Sequence, residues 1–334
     1  MESNDTLSLV WAGIIAAAIF GYIVMDGFDL GIGILFPWLD KGVHRNTAMN
    51  TIAPFWDGNE TWLVLGGGGL FAAFPLAYAI IMPAVYTPII AMLLGLIFRG
   101  VAFEFRVRTT RLWIWDGAFA FGSILAAFSQ GVILGAILQG VSVTGRSYSG
   151  GWWDWLSPFS VLTGLSVVAG YALLGACWLI YRTENGLQDR AYGLARWMGI
   201  MTLFAIVCVS VVTPLLNEDY FSRWFAAPGI YAAAPVPILV AVTALLFARS
   251  LVKKAEVQPF LLALLLFLLS FLGLGISMYP WLVPGKISIF AAATPENSQI
   301  FMLVGVGIML PIIIAYTGYS YWVFRGKVGH EGYH

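Results

Sequence analysis

The sequence predicts an all-α polytopic membrane protein: about nine transmembrane helices forming a single helical domain over residues 1–334. Three observations carry that prediction. Hydrophobic residues make up 60% of the chain and charged residues 10%, against about 25% charged in a soluble domain. The apolar runs are long and unbroken, whereas a transmembrane barrel alternates over segments of about ten residues. Aromatic residues are abundant, with 14 Trp, 14 Tyr and 23 Phe, as interfacial belts require.

Divided at about 20 residues per span, the runs fall at 8–36, 50–73, 76–98, 115–140, 158–181, 196–216, 231–250, 258–280 and 299–324. The first follows an acidic N-terminus, MESNDTLSLV, that lacks a basic region, so it reads as a retained helix and not as a cleaved signal peptide. The second holds Pro54 inside its start and the run Gly66–Gly69, small residues that let a helix approach its neighbour. Pro75 and Pro158 fall at or near span boundaries. The third and fourth spans are separated by a charged stretch containing Arg99, Glu104, Arg106, Arg108 and Arg111, with Glu104 and Arg108 at i,i+4. That stretch reads as a solvated, orientation-setting loop, with contact to a partner or to anionic headgroups as the alternative.

Orientation follows from the basic residues. Of the 17 Lys and Arg, fourteen fall in the loops after spans one, three, five and seven or in the C-terminal tail; only Arg146, Arg223 and Lys286 fall on the other side. The N-terminus is therefore expected outside and the C-terminus in the cytoplasm, which requires an odd number of spans. Trp152, Trp153, Trp155, Trp224 and Trp281 sit in the outer loops as interfacial anchors. A formal net charge of zero gives no sign of a nucleic-acid partner. Cys177 and Cys208 lie in apolar runs without metal or redox spacing and read as small buried hydrophobes.

Two segments stand apart. Residues 25–33 read MDGFDLGIG and residues 54–62 read PFWDGNETW, placing Asp26, Asp29, Asp57 and Glu60 inside apolar runs. Each pair is spaced i,i+3, on one helix face. An acid at the bilayer centre costs about 2.5–3.5 kcal/mol on insertion scales, so its presence points to function. If the first two helices form a regular hairpin about Val43, Asp29 and Asp57 lie 14 residues from the turn and Asp26 and Glu60 lie 17. The pairs are then level, with Asp57 about 10 Å inside its helix. Four carboxylates at one level cannot all stay ionised, because burial and mutual repulsion both disfavour the charge. Proton exchange is the natural chemistry, with Asn59 and Thr61 as water-holding neighbours. Three alternatives remain: helix capping; pairing with Arg99, Arg45 or the C-terminal histidines; and binding of a hard cation through oxygen ligands. The three histidines, His44, His330 and His334, lie in a loop and the tail. A membrane haem protein needs axial histidines on facing helices, so this chain is not expected to hold haem by itself. Nor does it contain a P-loop, a dinucleotide fingerprint or a CxxC motif.

The segments DGFDLGIGIL (26–35), APFWDGNETWLVLGGGGLFAAFP (53–75), FRGVAFEFR (98–106) and TPENSQ (294–299) together resemble subunit II of the cytochrome bd-type quinol oxidases. The resemblance covers essentially the whole chain, and the short loops are similar to those of the cyanide-insensitive branch. It implies a haem-free subunit of a bacterial cytoplasmic (inner) membrane oxidase. Two b-type haems and one d-type haem, with the quinol-oxidation loop, belong to the partner, subunit I. A small single-span subunit and a structural quinone accompany some members. O2 is reduced to water with electrons from quinol and protons from the cytoplasm. By the same resemblance, Asp57 matches the family's proton-access acid in WDGN, Asp29 is next through DGFD, and Asp26 and Glu60 support them, Glu60 with less weight. An ion-coupled secondary transporter is the alternative, because interrupted helices with mid-membrane acids are also what such carriers show; against it, no matching half-sequences are found. A purely structural scaffold is the third.

Overall fold

The computed structural model describes residues 3–328; the tail histidines His330 and His334 lie outside the described residues. Helix α1 (Ser3–Leu35) runs without a break, so the first acid pair lies in its interior and not at its end. A 3-10 turn at Phe36–Trp38 carries Pro37 at its start. The expected second span is in fact two helices: α2 (Val43–Asn50) and α3 (Trp56–Ala73), with Pro54 in the turn between them. Pro75 then opens α4 (Pro75–Ala84) in its first turn, where a missing N–H costs nothing.

The expected third span, 76–98, is displaced. The chain breaks at Val85, and the crossing helix is α5 (Tyr86–Arg106). Pro88 cannot donate to the carbonyl of Ala84 and its ring clashes there, so α4 ends and α5 begins. The consequence is that Arg99 and Arg106 belong to a helix and not to a solvated loop.

Next come α6 (Leu112–Gln139) and a small hairpin of β1 (Val143–Thr144) and β2 (Ser147–Tyr148), antiparallel, turning at Gly145 with φ 62°. Then α7 (Pro158–Arg182) starts from a capping box in which Ser157 and Ser160 satisfy each other's backbone. Helix α8 (Asn185–Leu216) begins eleven residues before the expected span. It is followed by α9 (Glu218–Phe225), α10 (Gly229–Ala233), α11 (Pro235–Val252) and α12 (Gln258–Met278). A second hairpin, β3 (Trp281–Val283) with β4 (Ile287–Ser288), leads through α13 (Ile289–Ala292) into α14 (Glu296–Val323). Among the described residues, eight helices are long and apolar enough to cross a membrane. Helix α3 has 18 residues, about 27 Å at 1.5 Å per residue. It matches a bilayer core in length but is too polar in composition, because it carries Asp57, Asn59 and Glu60.

Helix α1 is the axis of the bundle and packs against α3, α6 and α7. Its Leu35 end, with the Arg106 end of α5 and the Arg182 end of α7, forms the inner end, the end rich in basic residues. Helix crossings are close because small residues meet there. A Cβ on Gly31 would run into the backbone of Tyr171, and one on Gly122 into Gly95 O and Arg99 N across the α5–α6 contact. The main core at the inner end gathers Phe28, Phe36, Phe55, Phe103, Phe119 and Trp178; a second, at the outer end, surrounds Trp11, Phe74 and Ile80.

Two elements are only half covered. On α3, Gly66 and Gly69 face Ile19 and Ile15 of α1, whereas Asp57, Thr61, Val64, Gly67, Gly68 and Phe71 are exposed. Helix α14 buries none of its most apolar stretch and is fastened near its ends. At the outer end, Gln299 Nε2 donates to Thr294 O (2.8 Å) and Asn4 Oδ1 (2.9 Å). At the inner end, Tyr321 stacks on Phe55 at 4.2 Å and Arg182 donates to Phe324 O at 2.6 Å.

Candidate functional site

Three helices bring one arginine and three acids together inside the bundle. Asp26 and Asp29 lie one turn apart on α1, Asn59 and Glu60 follow each other on α3, and Arg99 comes from α5, one turn after the glycine contact with α6. The Arg99 side chain is 0% exposed. Its Nη2 donates to Asp26 Oδ1 at 2.5 Å and to Glu60 Oε1 at 2.6 Å. Nη1 lies 4.0 Å from Asp29 Oδ2, which accepts a shorter bond, 2.7 Å, from Asn59 Nδ2. Asn59 is held in turn by Met25 O (3.2 Å) and by the Tyr321 hydroxyl, which donates to its Oδ1 at 3.0 Å. The Trp56 ring, stacked on Phe103, covers the guanidinium with its centroid 5.7 Å from Arg99 Cζ.

Charge decides what this arrangement can do. One guanidinium faces three carboxylates, two of them fully buried and Glu60 29% exposed. Arginine stays protonated in proteins and neutralises one acid. The other two must hold protons or carry uncompensated charge in apolar surroundings, which is strongly disfavoured. Asp26 Oδ2, Asp29 Oδ1, Arg99 Nε and Arg99 Nη1 are buried without a hydrogen-bond partner in the protein. Such atoms are the points at which ordered water completes a polar network.

The structure thus joins three of the four sequence-selected acids. Asp57 is separate: it lies in the first turn of α3, exposed beside Thr61 on the uncovered face, one turn from Glu60. Asp26 and Glu60, expected to lie level, meet through Arg99, and Asp29 takes Asn59, two residues after Asp57, as its partner. Thr61 bonds within its own helix, to Gly58 O at 2.7 Å.

Arg99 is the residue that reading the sequence as spans and loops misplaces. Counting the third span from Pro88 and not from Pro75 puts it inside the membrane. Arg106 moves likewise. Its Nε meets Asp116 Oδ1 at 2.6 Å, and Arg45 Nη1 meets Asp116 Oδ2 at 2.7 Å. The two guanidiniums flank Phe36, with their Cζ atoms 5.5 and 5.2 Å from its ring. Arg108 and Glu104 do form the exposed i,i+4 pair, at 4.0 Å. His44 Nδ1 lies 3.1 Å from Asp40 Oδ2 at the inner surface, a position that does not fit an axial haem ligand. Among the described residues no group of His, Cys, Asp or Glu is arranged to hold a metal ion; where the acids converge, the Arg99 guanidinium stands in the place a hard cation would take.

Residues 7–324 match the family described as cytochrome bd terminal oxidase subunit II. The chain is 30% identical to the cytochrome bd-I ubiquinol oxidase subunit 2 of Escherichia coli (strain K12), over 99% of this chain and 97% of that one. It is 29% identical to the cytochrome bd ubiquinol oxidase subunit 2 of Bacillus subtilis (strain 168), over 96% and 97%. Its fold matches a chain in the structure of bd oxidase from Geobacillus thermodenitrificans with a TM-score of 0.78 at 18% identity, covering 96% of this chain and 99% of that chain.

Proposed function

The chain belongs to the cytochrome bd terminal oxidase subunit II family, and from that premise we infer that its buried acids serve the protons consumed when O2 is reduced to water. It is a multi-pass subunit of a membrane ubiquinol oxidase and works beside a partner subunit. The haem groups, two b-type and one d-type, supply the redox chemistry from that partner, with electrons from quinol; His44 gives this chain no suitable axial ligand.

The route we assign starts at Asp57 on the exposed face of α3, at the inner end. Glu60, one turn on and partly exposed, hands protons to the buried cluster. Arg99 fixes the charge there, Asn59 and Tyr321 orient Asp29, and water at the unpartnered atoms links the acids. No pumping element is required: protons consumed come from the cytoplasmic side and quinol protons leave on the other. The uncovered faces of α3 and α14 are the surfaces we assign to subunit I, which would close over Asp57 and carry the route across the boundary between chains. Nine spans in one domain, an outer N-terminus, the bacterial inner membrane, a small single-span subunit and a structural quinone complete the proposal from the family resemblance. Family membership leaves the carrier reading without a supporting observation.

The surplus of two carboxylates over one guanidinium is the observation that carries this reading. It is tested in the assembled oxidase with Glu60→Gln and Asp29→Asn. Quinol-dependent O2 uptake should fall by about a hundredfold, the lower end for loss of a proton-transfer group, while the reduced-minus-oxidised haem absorbance persists. Unchanged uptake in both variants would remove the proton route.

A further inference from the structure

A second line of buried polar groups reaches the cluster from the side away from Asp57. Tyr22 lies one turn before Asp26 on the same face of α1, and both are buried. Gln130 of α6 donates from Nε2 to the Tyr22 hydroxyl oxygen at 2.8 Å. The Tyr171 hydroxyl of α7 donates to Gln130 Oε1 at 2.7 Å. Neither tyrosine has freedom to turn away. The Tyr171 ring packs against α1 at Gly27, where an added Cβ would come within 3.0 Å of it, and stacks on Phe267 at 6.0 Å.

Counting donors gives this line a direction. A tyrosine hydroxyl has one proton. Tyr171 spends its proton on Gln130, and the Tyr22 oxygen accepts from Gln130, which leaves the Tyr22 proton for another acceptor. The carboxylate facing it is Asp26, whose Oδ2 is buried with no other bond. With the Tyr22 proton on that open oxygen, Tyr171, Gln130 and Tyr22 would all point their positive ends towards Asp26, and aligned hydrogen bonds polarise one another. An amide in the middle cannot pass a proton along, so the line does not extend the route. Around Asp26 stand Arg99, Asp29, Glu60, Tyr22 and Tyr171. Asp26 alone combines the 2.5 Å guanidinium bond with a buried oxygen, Oδ2, left open as the acceptor for this line. Asp29 has one amide and a guanidinium at 4.0 Å; Glu60 takes a 2.6 Å guanidinium bond but is partly exposed.

We propose that Tyr22, Gln130 and Tyr171 form a polarised relay that keeps Asp26 as the standing counter-ion of Arg99, leaving Glu60 and Asp29 as the acids that exchange protons. The three are positioning residues, and their role rests on the proton-route reading only for what the exchange serves. Were Asp26 to take a proton on the oxygen facing Tyr22, two hydroxyl protons would compete for one contact, and reversing the line to relieve it would turn the Gln130 amide over against both tyrosines.

Infrared difference spectra of the assembled oxidase, recorded between oxidised and reduced states, read protonated carboxyl groups directly. In the parent protein the carboxyl band should be lost in Glu60→Gln or Asp29→Asn; Asp26→Asn, by handing Arg99 to one of those acids as counter-ion, should weaken or shift it as well. Tyr22→Phe should add a second carboxyl band that vanishes when combined with Asp26→Asn. Haem absorbance reports assembly; if Tyr22→Phe does not assemble, Tyr171→Phe, which removes only the far donor, should give the same added band more weakly. A parent-like spectrum in both tyrosine variants overturns the assignment, as does a parent band unaltered in both Glu60→Gln and Asp29→Asn. If the added band appears while Glu60→Gln and Asp29→Asn leave O2 uptake unchanged, the relay stands and the proton route falls.

Discussion

Two buried arginine clusters lie two turns apart on α5, and they balance charge in opposite ways. At the inner end, Arg45 and Arg106 share the single carboxylate of Asp116, and none of the three leaves a buried polar atom unpaired. Arg45 Nε donates to Leu39 O at 3.1 Å and Arg106 Nη1 to Asn46 Oδ1 at 2.8 Å, which tie α2, α5 and α6 together. Deeper in, Arg99 alone faces three acids, and four buried atoms of that cluster lack partners. The first arrangement is complete and cationic, at the level where headgroups and water balance the excess. It holds helices in place. The second has surplus acid and incomplete pairing where nothing apolar can balance it, so its charge state must change with its proton count. The same residue types on one helix thus give a fastening in one place and a titrating centre in the other.

The strongest way to break that distinction is to remove Arg99. Arg99→Leu leaves Asp26 without its counter-ion, and loss of one partner from a buried pair costs about 3–5 kcal/mol. Little haem-containing complex should assemble, measured as haem absorbance per amount of membrane protein. Arg99→Lys should not restore it, because an ammonium lacks the planar fork that holds Asp26 and Glu60 together. Next in size is Asp57→Asn, for which turnover should fall by roughly tenfold while the haem spectrum stays intact. Full activity would take Asp57 out of the route and leave the cluster with another access.

Asp116→Asn tests the other half. It leaves two arginines facing a neutral amide and should cost about 1–3 kcal/mol, read as a lower unfolding temperature of the complex. Turnover per haem should stay within about twofold, far below the loss expected where a proton-transfer group goes. A collapse of turnover at unchanged stability would erase the difference between the clusters. The smallest effect belongs to an ion pair outside the membrane. Lys327 Nζ meets Glu256 Oε2 at 3.0 Å, and Lys327 and Gln188 together hold the Glu256 carboxyl below its usual range. A lowered folded value means the contact contributes above the ordinary carboxylate range and is lost as acid protonates Glu256. Glu256→Gln should therefore loosen the chain around Lys327 slightly at neutral pH, and the small acid-induced loosening seen there by hydrogen exchange in the parent should be absent from the variant.

Much of this was legible in the residues. Long apolar runs, Pro158 and the acidic N-terminus place α1, α7 and α12 to within a few positions, and the i,i+3 acids select the helices that meet. Between residues 75 and 88 the sequence is ambiguous. Pro75, Pro83 and Pro88 all lie in apolar surroundings, and hydropathy cannot tell which of them ends a helix. Arg99 is hidden by the same ambiguity: it is the first charge after an apolar run, which is also how a membrane boundary reads. Removing it from the inner loops still leaves thirteen basic residues against three, so the orientation argument survives its loss. The exposure of Asp57 depends on which side of α3 meets α1, and both sides are apolar or glycine. Tyr321, 262 residues from Asn59, and Gln130, 108 residues from Tyr22, join the site by tertiary contact alone, which no local pattern encodes.

Helix α14 is tied down at Gln299 and at Tyr321, and between them one face stays uncovered. A chain synthesised before its companion therefore floats with that helix and the Asp57 side of α3 turned to lipid, and an acid facing hydrocarbon is a lasting penalty.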